Sequence, residues 1–195
     1  MPLTAGELRV GPVRCAWRPF HAGAPAEPLV RSWLVGLLVD DARHLSLHRD
    51  AHGRPSLGTP HAGHDVSWSH SGAGLLMALG TGVRLGIDLE FRRPRPRALE
   101  LAARFFAEDE AKALSRLPLD EVEPAFVRLW CAKEAVLKAH GKGLSFGLHR
   151  LRFAPGGDDW RLVECDVALG RPADWTLHAF SPAPDYRATI AWRRA

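Results

Sequence analysis

Asp88 and Glu90 stand two residues apart in Val83-Arg84-Leu85-Gly86-Ile87-Asp88-Leu89-Glu90, whose period of two predicts a strand. On such a strand both carboxylates leave one face, while Ile87 and Leu89 turn to the core. Two like charges side by side are costly unless positive charge sits between them. A hard divalent cation such as Mg2+, which takes oxygen ligands, would supply it. Neighbouring arginines on a solvated strand face would supply it too, and the spacing alone leaves both readings open.

A second group lies in Leu129-Trp130-Cys131-Ala132-Lys133-Glu134-Ala135-Val136-Leu137-Lys138. At about 100° per residue, Phe126, Leu129, Trp130, Val136 and Leu137 form the apolar stripe of a helix. Glu134 and Lys138 share its border as an i,i+4 pair, and Lys133 falls inside the stripe. An interior lysine needs a partner or must snorkel to solvent. Ser67-Trp68-Ser69-His70-Ser71-Gly72 sets hydroxyls and an imidazole beside a glycine, either an anion-binding turn or an ordinary polar strand end. His44, His48, His52, His61 and His64 raise the idea of zinc. On a strand His44 and His48 are too far apart for one ion, and no acidic or Cys partner is spaced to help. The run Arg92 to Arg97 would grip phosphate or an acidic surface, or form a solvated loop.

The elements that must hold these residues belong to an ordinary globular chain of 195 residues, 46% hydrophobic and 25% charged. That is enough for one core or two small lobes. No apolar run reaches the roughly 18 residues of a membrane span, and MPLTAGELRVGPVRC lacks a signal-peptide core. Cys15, Cys131 and Cys165 form neither a disulfide framework nor a Cys-x-x-Cys knuckle, so a cytoplasmic protein is expected. The net charge of +4 favours anionic partners. No zinc-finger, basic-zipper or RNA-sheet signature points to nucleic acid.

A loop from Pro19 to Pro28 leads into a helix with Leu29, Val30, Trp33, Leu34, Leu37 and Leu38 as its apolar face, ended by Asp40 and Asp41. Leu45 and Leu47 alternate with polar residues as a half-buried strand running into the turn His52-Gly53-Arg54-Pro55. Strands follow at Val66 to Ser69 and Leu75 to Leu79, with Gly80-Thr81-Gly82 as a hairpin signal. Helices are predicted over Ala98 to Leu117, broken near Phe106, and from Pro124 to His140, closed by Gly141. Leu151, Val163, Leu177 and Ile190 lie in short C-terminal strands. This order is α+β, without regular βαβ alternation.

Taken in order, the segments resemble the 4′-phosphopantetheinyl transferases, specifically the larger single-chain Sfp-type class. His52-Gly53-Arg54-Pro55 resembles the family's Gly-Lys-Pro turn, Ser69-His70-Ser71 its Ser-His-Ser strand end, and Gly86-Ile87-Asp88-Leu89-Glu90 its Gly-Ile-Asp-x-Glu strand. Arg104-Phe105-Phe106 with Glu110 resembles its Arg-Phe-Phe helix. Trp130 through Lys138, followed by Gly141-Lys142-Gly143-Leu144, resembles the Trp-x-x-Lys-Glu signature and glycine-rich exit. The resemblance implies two similar lobes related by a pseudo-twofold axis, residues 1–84 and 85–195, together one transferase domain with the active site in the cleft between them. It implies a Mg2+-dependent enzyme that moves the phosphopantetheine arm of coenzyme A to a serine of an apo-acyl or peptidyl carrier protein, releasing adenosine 3′,5′-bisphosphate, and that acts as a monomer.

On this resemblance Asp88, Glu90 and Glu134 hold the metal, Glu134 and Lys138 are catalytic, and Arg54, Ser69, His70 and Lys138 bind coenzyme A. The sequence departs from the family pattern at two places. Arg54 replaces the motif lysine, and the short stretch Arg18 to Glu27 stands where a basic helical segment is usual, leaving the 3′-phosphate to Arg31 or Arg18. Two other readings share these residues: an inactive relative that binds coenzyme A or a carrier protein, and a metal-dependent phosphohydrolase.

Overall fold

The computed structural model describes residues 3–38, 45–156 and 159–195. Asp40, Asp41 and His44 lie outside the described residues. Strands β1 (Gly6–Val10), β2 (Val13–Pro19), β5 (His64–Ser71) and β6 (Gly74–Thr81) form an antiparallel sheet in the order β1-β2-β6-β5. Strands β7 (Val83–Phe91), β10 (Thr176–Phe180) and β11 (Tyr186–Arg194) form a second antiparallel sheet, β10-β11-β7. Two small hairpins complete the strands: β3 (Leu47–Arg49) with β4 (Pro55–Leu57), and β8 (Leu151–Gly156) with β9 (Asp159–Cys165). The helices are α1 (Glu27–Leu38), α2 (Ala98–Phe105), α3 (Glu108–Ser115) and α4 (Leu119–His140). The expected α+β class is what the chain adopts. No helix among the described residues is long and apolar enough to cross a membrane.

Strand alternation sorts the core into layers. In β6, Leu75, Met77 and Leu79 pack with Val30, Trp33 and Leu34 of α1. Leu76 and Ala78 turn the other way and meet Leu85, Ile87 and Leu89 of β7. Beyond the second sheet lies α4, whose Leu129, Ala132, Val136 and Ala139 join a third cluster with Ala102, Phe106 and Phe153. A strand buried on both faces is apolar throughout, and β6 reads Gly-Leu-Leu-Met-Ala-Leu-Gly for that reason.

The sheets meet at their edge strands, β5 and β7, through side chains instead of a backbone ladder. Asp65 Oδ2 accepts from Leu85 N at 2.7 Å, Ser67 Oγ from Ile87 N at 3.2 Å, and Ser71 Oγ from Phe91 N at 3.0 Å. Ser69 Oγ donates to Asp88 Oδ1 at 2.9 Å. Every second residue of β5 thus supplies one rung, while Val66 between them enters the core under α1.

Gly86 lets α4 settle on β7. A Cβ there would lie 2.2 Å from Ala135 O and 2.3 Å from Ala139 N, both backbone atoms of the helix. Gly86→Ala is expected to cost about 2–3 kcal/mol by overpacking, read as a shift in the urea midpoint. Unchanged stability would mean that α4 moves freely.

The predicted break near Phe106 is present between α2 and α3, and Gly141 closes α4 with φ 97 and its N–H on Leu137 O. Helix α4 starts at Leu119, earlier than the predicted Pro124. Pro118 precedes it, and Asp120 and Glu121 fill its first turn, where negative charge is favourable. Strands β1 and β2 had no place in the sequence-based expectation. Their alternation, Glu7-Leu8-Arg9-Val10 and Val13-Arg14-Cys15, is split by Gly11 at φ 53, and that turn was the available signal. The expected strand at Leu45 is shorter, beginning at Leu47.

Candidate active site

Asp88 and Glu90 project from β7 toward α4, opposite to Ile87 and Leu89. Lys138 Nζ donates to Asp88 Oδ1 at 2.7 Å and to Ser69 Oγ at 2.7 Å. Arg95 donates to Glu90 Oε2 at 2.5 Å, and Ser71 Oγ lies 3.4 Å from the same oxygen. The two readings of this acidic face therefore converge, because basic side chains do neutralise it in part. The remainder is unbalanced. Asp88 Oδ2 is buried without a hydrogen-bond partner. Burial, then Asp88, push Glu134 up to about 7, and burial with Asp88 also raises Glu90. The Glu134 carboxylate has no hydrogen bond or ion pair among the described residues. Burial pulls Lys138 down, but Asp88 against it outweighs this and leaves its pKa raised.

Asp88 raises the pKa of both Glu90 and Glu134, so two basic side chains do not balance three clustered carboxylates, and the oxygen donors suit a hard cation such as Mg2+. Among the described residues no three His, Cys, Asp or Glu groups are drawn up to a common ligand distance. Lys138 and Arg95 each hold one carboxylate oxygen of the pair on β7.

Next to this cluster an open cleft is lined by Arg49, Arg54, Trp68, Lys138 and Gly141. Its turn is built by Asp50, whose Oδ1 accepts from His52 N and Arg54 N, both at 2.9 Å, with Gly53 at φ 81. Arg54 is buried. It pairs with Asp65 and its Nε donates to Lys138 O at 3.3 Å near the C-terminal end of α4, where a cation is favourable. A Cβ on Gly141 would fall 2.7 Å from Arg54 Cδ, so the glycine exit makes room for this arginine. Arg49 lies 4.7 Å over the Trp68 ring. Sequence reasoning singled out neither Arg49 nor Asp65, because their partners Trp68 and Arg54 are distant in the chain.

The remaining predicted residues divide by strand parity. Ser69 faces inward to the carboxylates and Lys138, whereas His70 is exposed and packs tilted against Phe20, ring centroids 5.1 Å apart. Arg31 is committed to Glu27 and to the carbonyls of Leu45 and Leu47. Arg18 lies 4.0 Å from Glu7, beside a different depression at α1.

Lys133, the interior lysine, is fully buried and finds Glu110 at 2.7 Å. It also donates to the carbonyls of Leu148 and Leu151, which uses all three ammonium protons. Glu110 accepts from Ala107 N and Phe153 N, both at 2.8 Å. Burial draws Lys133 down to about 8, against the pull of Glu110, and raises Glu110. Phe106 stacks on Phe126 at 5.3 Å, and Trp130 packs on Phe105 and Phe106. Phe105 and Phe106 therefore pack with Trp130 and Lys133 of α4 into one platform, one residue removed from Glu134.

Residues 84–191, more than half of the chain, match the family model described as the 4′-phosphopantetheinyl transferase superfamily. The chain belongs to that superfamily. HetI, a 4′-phosphopantetheinyl transferase of Nostoc sp., is 36% identical over 130 residues, which cover 66% of this chain and 54% of HetI. The 4′-phosphopantetheinyl transferase Sfp of Bacillus subtilis is 33% identical over 129 residues, 66% of this chain and 55% of Sfp. The human L-aminoadipate-semialdehyde dehydrogenase-phosphopantetheinyl transferase is 29% identical over 146 residues, 70% of this chain and 47% of that protein. The matched stretches thus span about half of these transferases, and the likeness to Sfp and HetI agrees with the Sfp-type class read from the motifs. The matched family region contains Asp88 and Glu90 of β7 and Glu134 and Lys138 of α4.

Proposed function

We propose that this chain transfers the 4′-phosphopantetheine arm of coenzyme A to a serine of an apo-acyl or peptidyl carrier protein, acting as a cytoplasmic monomer. On this reading residues 1–84 and 85–195 are its two lobes, related by a pseudo-twofold axis, and the cleft between them is the active site. The observation that carries it is the charge-unbalanced Asp88, Glu90 and Glu134 cluster beside a cationic cleft, with Asp88 Oδ2 buried and unpaired.

Asp88, Glu90 and Glu134 would hold Mg2+, which when bound screens the pyrophosphate charge against an approaching nucleophile. Arg49 would give the nucleotide end its cation, while Arg54, neutralised by Asp65, and the turn built on Asp50 hold the wall of the cleft in place. His70, exposed on the other face of β5, would reach only a nucleotide that wraps around the strand end. Glu134, whose carboxylate has no hydrogen bond or ion pair among the described residues, would take the serine proton as general base. Lys138 stabilises the charge that grows on the leaving bisphosphate, while Asp88 and Ser69 orient its ammonium.

Incubation with coenzyme A, Mg2+ and a panel of apo-carriers should add one phosphopantetheine mass to at least one of them. Coenzyme A binding without any mass increase would favour the binding-only relative. Release of free phosphopantetheine without a carrier would favour the phosphohydrolase. Lys138→Ala should lower kcat by about 100-fold, as for a preorganised oxyanion donor. Arg49→Ala should mainly raise KM for coenzyme A, because its contact is remote from the bond that breaks. Steady-state kinetics of the two variants check the assignment, and the reverse pattern would turn the substrate around in the cleft.

A further inference from the structure

A second charged pocket lies beyond the carboxylates from Arg54. Along α4 the order runs from Gly141 and Lys138 at the first cleft, through Glu134, to Arg128, Val127 and Pro124 at the second pocket. Arg128 is about 9 Å along the helix axis from Glu134, at 1.5 Å per residue. Arg92 follows β7, and Arg187 of β11 stands directly opposite Glu90 in register, so it shares the face of the carboxylates.

Three arginines and one carboxylate line this pocket. Its carboxylate, Glu123, accepts from Arg95 N at 2.8 Å. Arg187 gives one guanidinium nitrogen to Asp159 at 2.5 Å, whereas Arg128 has no hydrogen bond or ion pair among the described residues. The Nε atoms of Arg128 and Arg187 are both buried without a partner. Buried N–H groups are nearly always paired, and exceptions mark strain or a group that waits for a ligand.

We propose that Arg92, Arg128 and Arg187 receive a carboxylate side chain, Asp or Glu, of the acceptor protein. The inference rests on the transfer reading above. Guanidinium groups present forked donors that match a carboxylate. On that reading the phosphates of coenzyme A lie at the first cleft and its arm is uncharged, so an anion on the far side of the carboxylates arrives with the acceptor.

The test measures calorimetric binding of an apo-carrier, without coenzyme A, to the wild type and to R128Q and R92Q, with melting temperatures as a folding control. R128Q should weaken carrier binding about tenfold and leave KM for coenzyme A within twofold. Among single Asp→Asn and Glu→Gln variants of the carrier, one should weaken binding to the wild type similarly and have no further effect on R128Q. Wild-type affinity in a folded R128Q, or additive losses for every carrier carboxylate, overturns the proposal. A parallel rise in KM for coenzyme A would make this a phosphate site and overturn it too. A wild type that transfers normally with R128Q binding unchanged removes the pocket alone. A wild type that binds a carrier without transfer, with binding lost in R128Q, removes the transfer reading and keeps the pocket. Neither binding nor transfer removes both.

Discussion

Asp88→Asn is expected to reduce transfer by at least about 100-fold while the protein still folds. The carboxylate accepts from Ser69 and Lys138 through Oδ1, Oδ2 is buried with no partner of its own, and the Asp88 charge raises the pKa of Glu90 and Glu134. The amide keeps the volume and one acceptor oxygen, so packing changes little. It removes the charge that orients the Lys138 ammonium and the donor that would hold a cation. Losses of two to three orders of magnitude are typical when one preorganised electrostatic group is removed. Glu134→Gln should behave alike. Initial rates of holo-carrier formation, read by intact mass, decide it, and rates within threefold of wild type for a folded Asp88→Asn would refute the assigned site.

The second large effect concerns stability. Lys133→Ala should destabilise the protein by about 3–5 kcal/mol, the range for breaking a buried ion pair by removing one partner. The loss is large because Glu110, the Leu148 carbonyl and the Leu151 carbonyl are all left without their shared donor in a dry environment. Replacing both ends by apolar groups, Lys133→Met with Glu110→Leu, should recover part of it, since well-packed apolar groups can replace a buried pair at little cost. Ala107 N and Phe153 N lose their acceptor in the double variant, so recovery is incomplete. Urea unfolding of Lys133→Met, Glu110→Leu and their double variant gives the coupling energy. Strict additivity would show that the pair does not act as a unit.

Much of this was legible in the sequence wherever one local rule governed. The pairing of Asp88 with Glu90, the break at Phe106 and the closure at Gly141 follow from strand alternation, an extended residue between helices and a left-handed cap. Lys133 was recognisable as anomalous, but its partner was not, because Glu110 lies on the preceding helix and the contact exists only after α3 folds against α4. Arg49 and Asp65 carry no local signature: the first is defined by Trp68, the second by Arg54 and the backbone of β7. Ser69 and His70 are adjacent in the chain, yet a strand sends them to opposite faces, so one adjoins the carboxylates and the other the surface.

The rungs between β5 and β7 carry a consequence for how such a pair of sheets can diverge. A backbone ladder is the same whatever the side chains are, so its strength is nearly fixed by length. Here each rung is encoded by a separate codon, Asp65, Ser67, Ser69 and Ser71. Replacing one serine by alanine removes one tie, and the two edge strands keep their own sheets intact. The spacing of the two sheets is therefore adjustable in discrete steps by point substitution, without rebuilding either core.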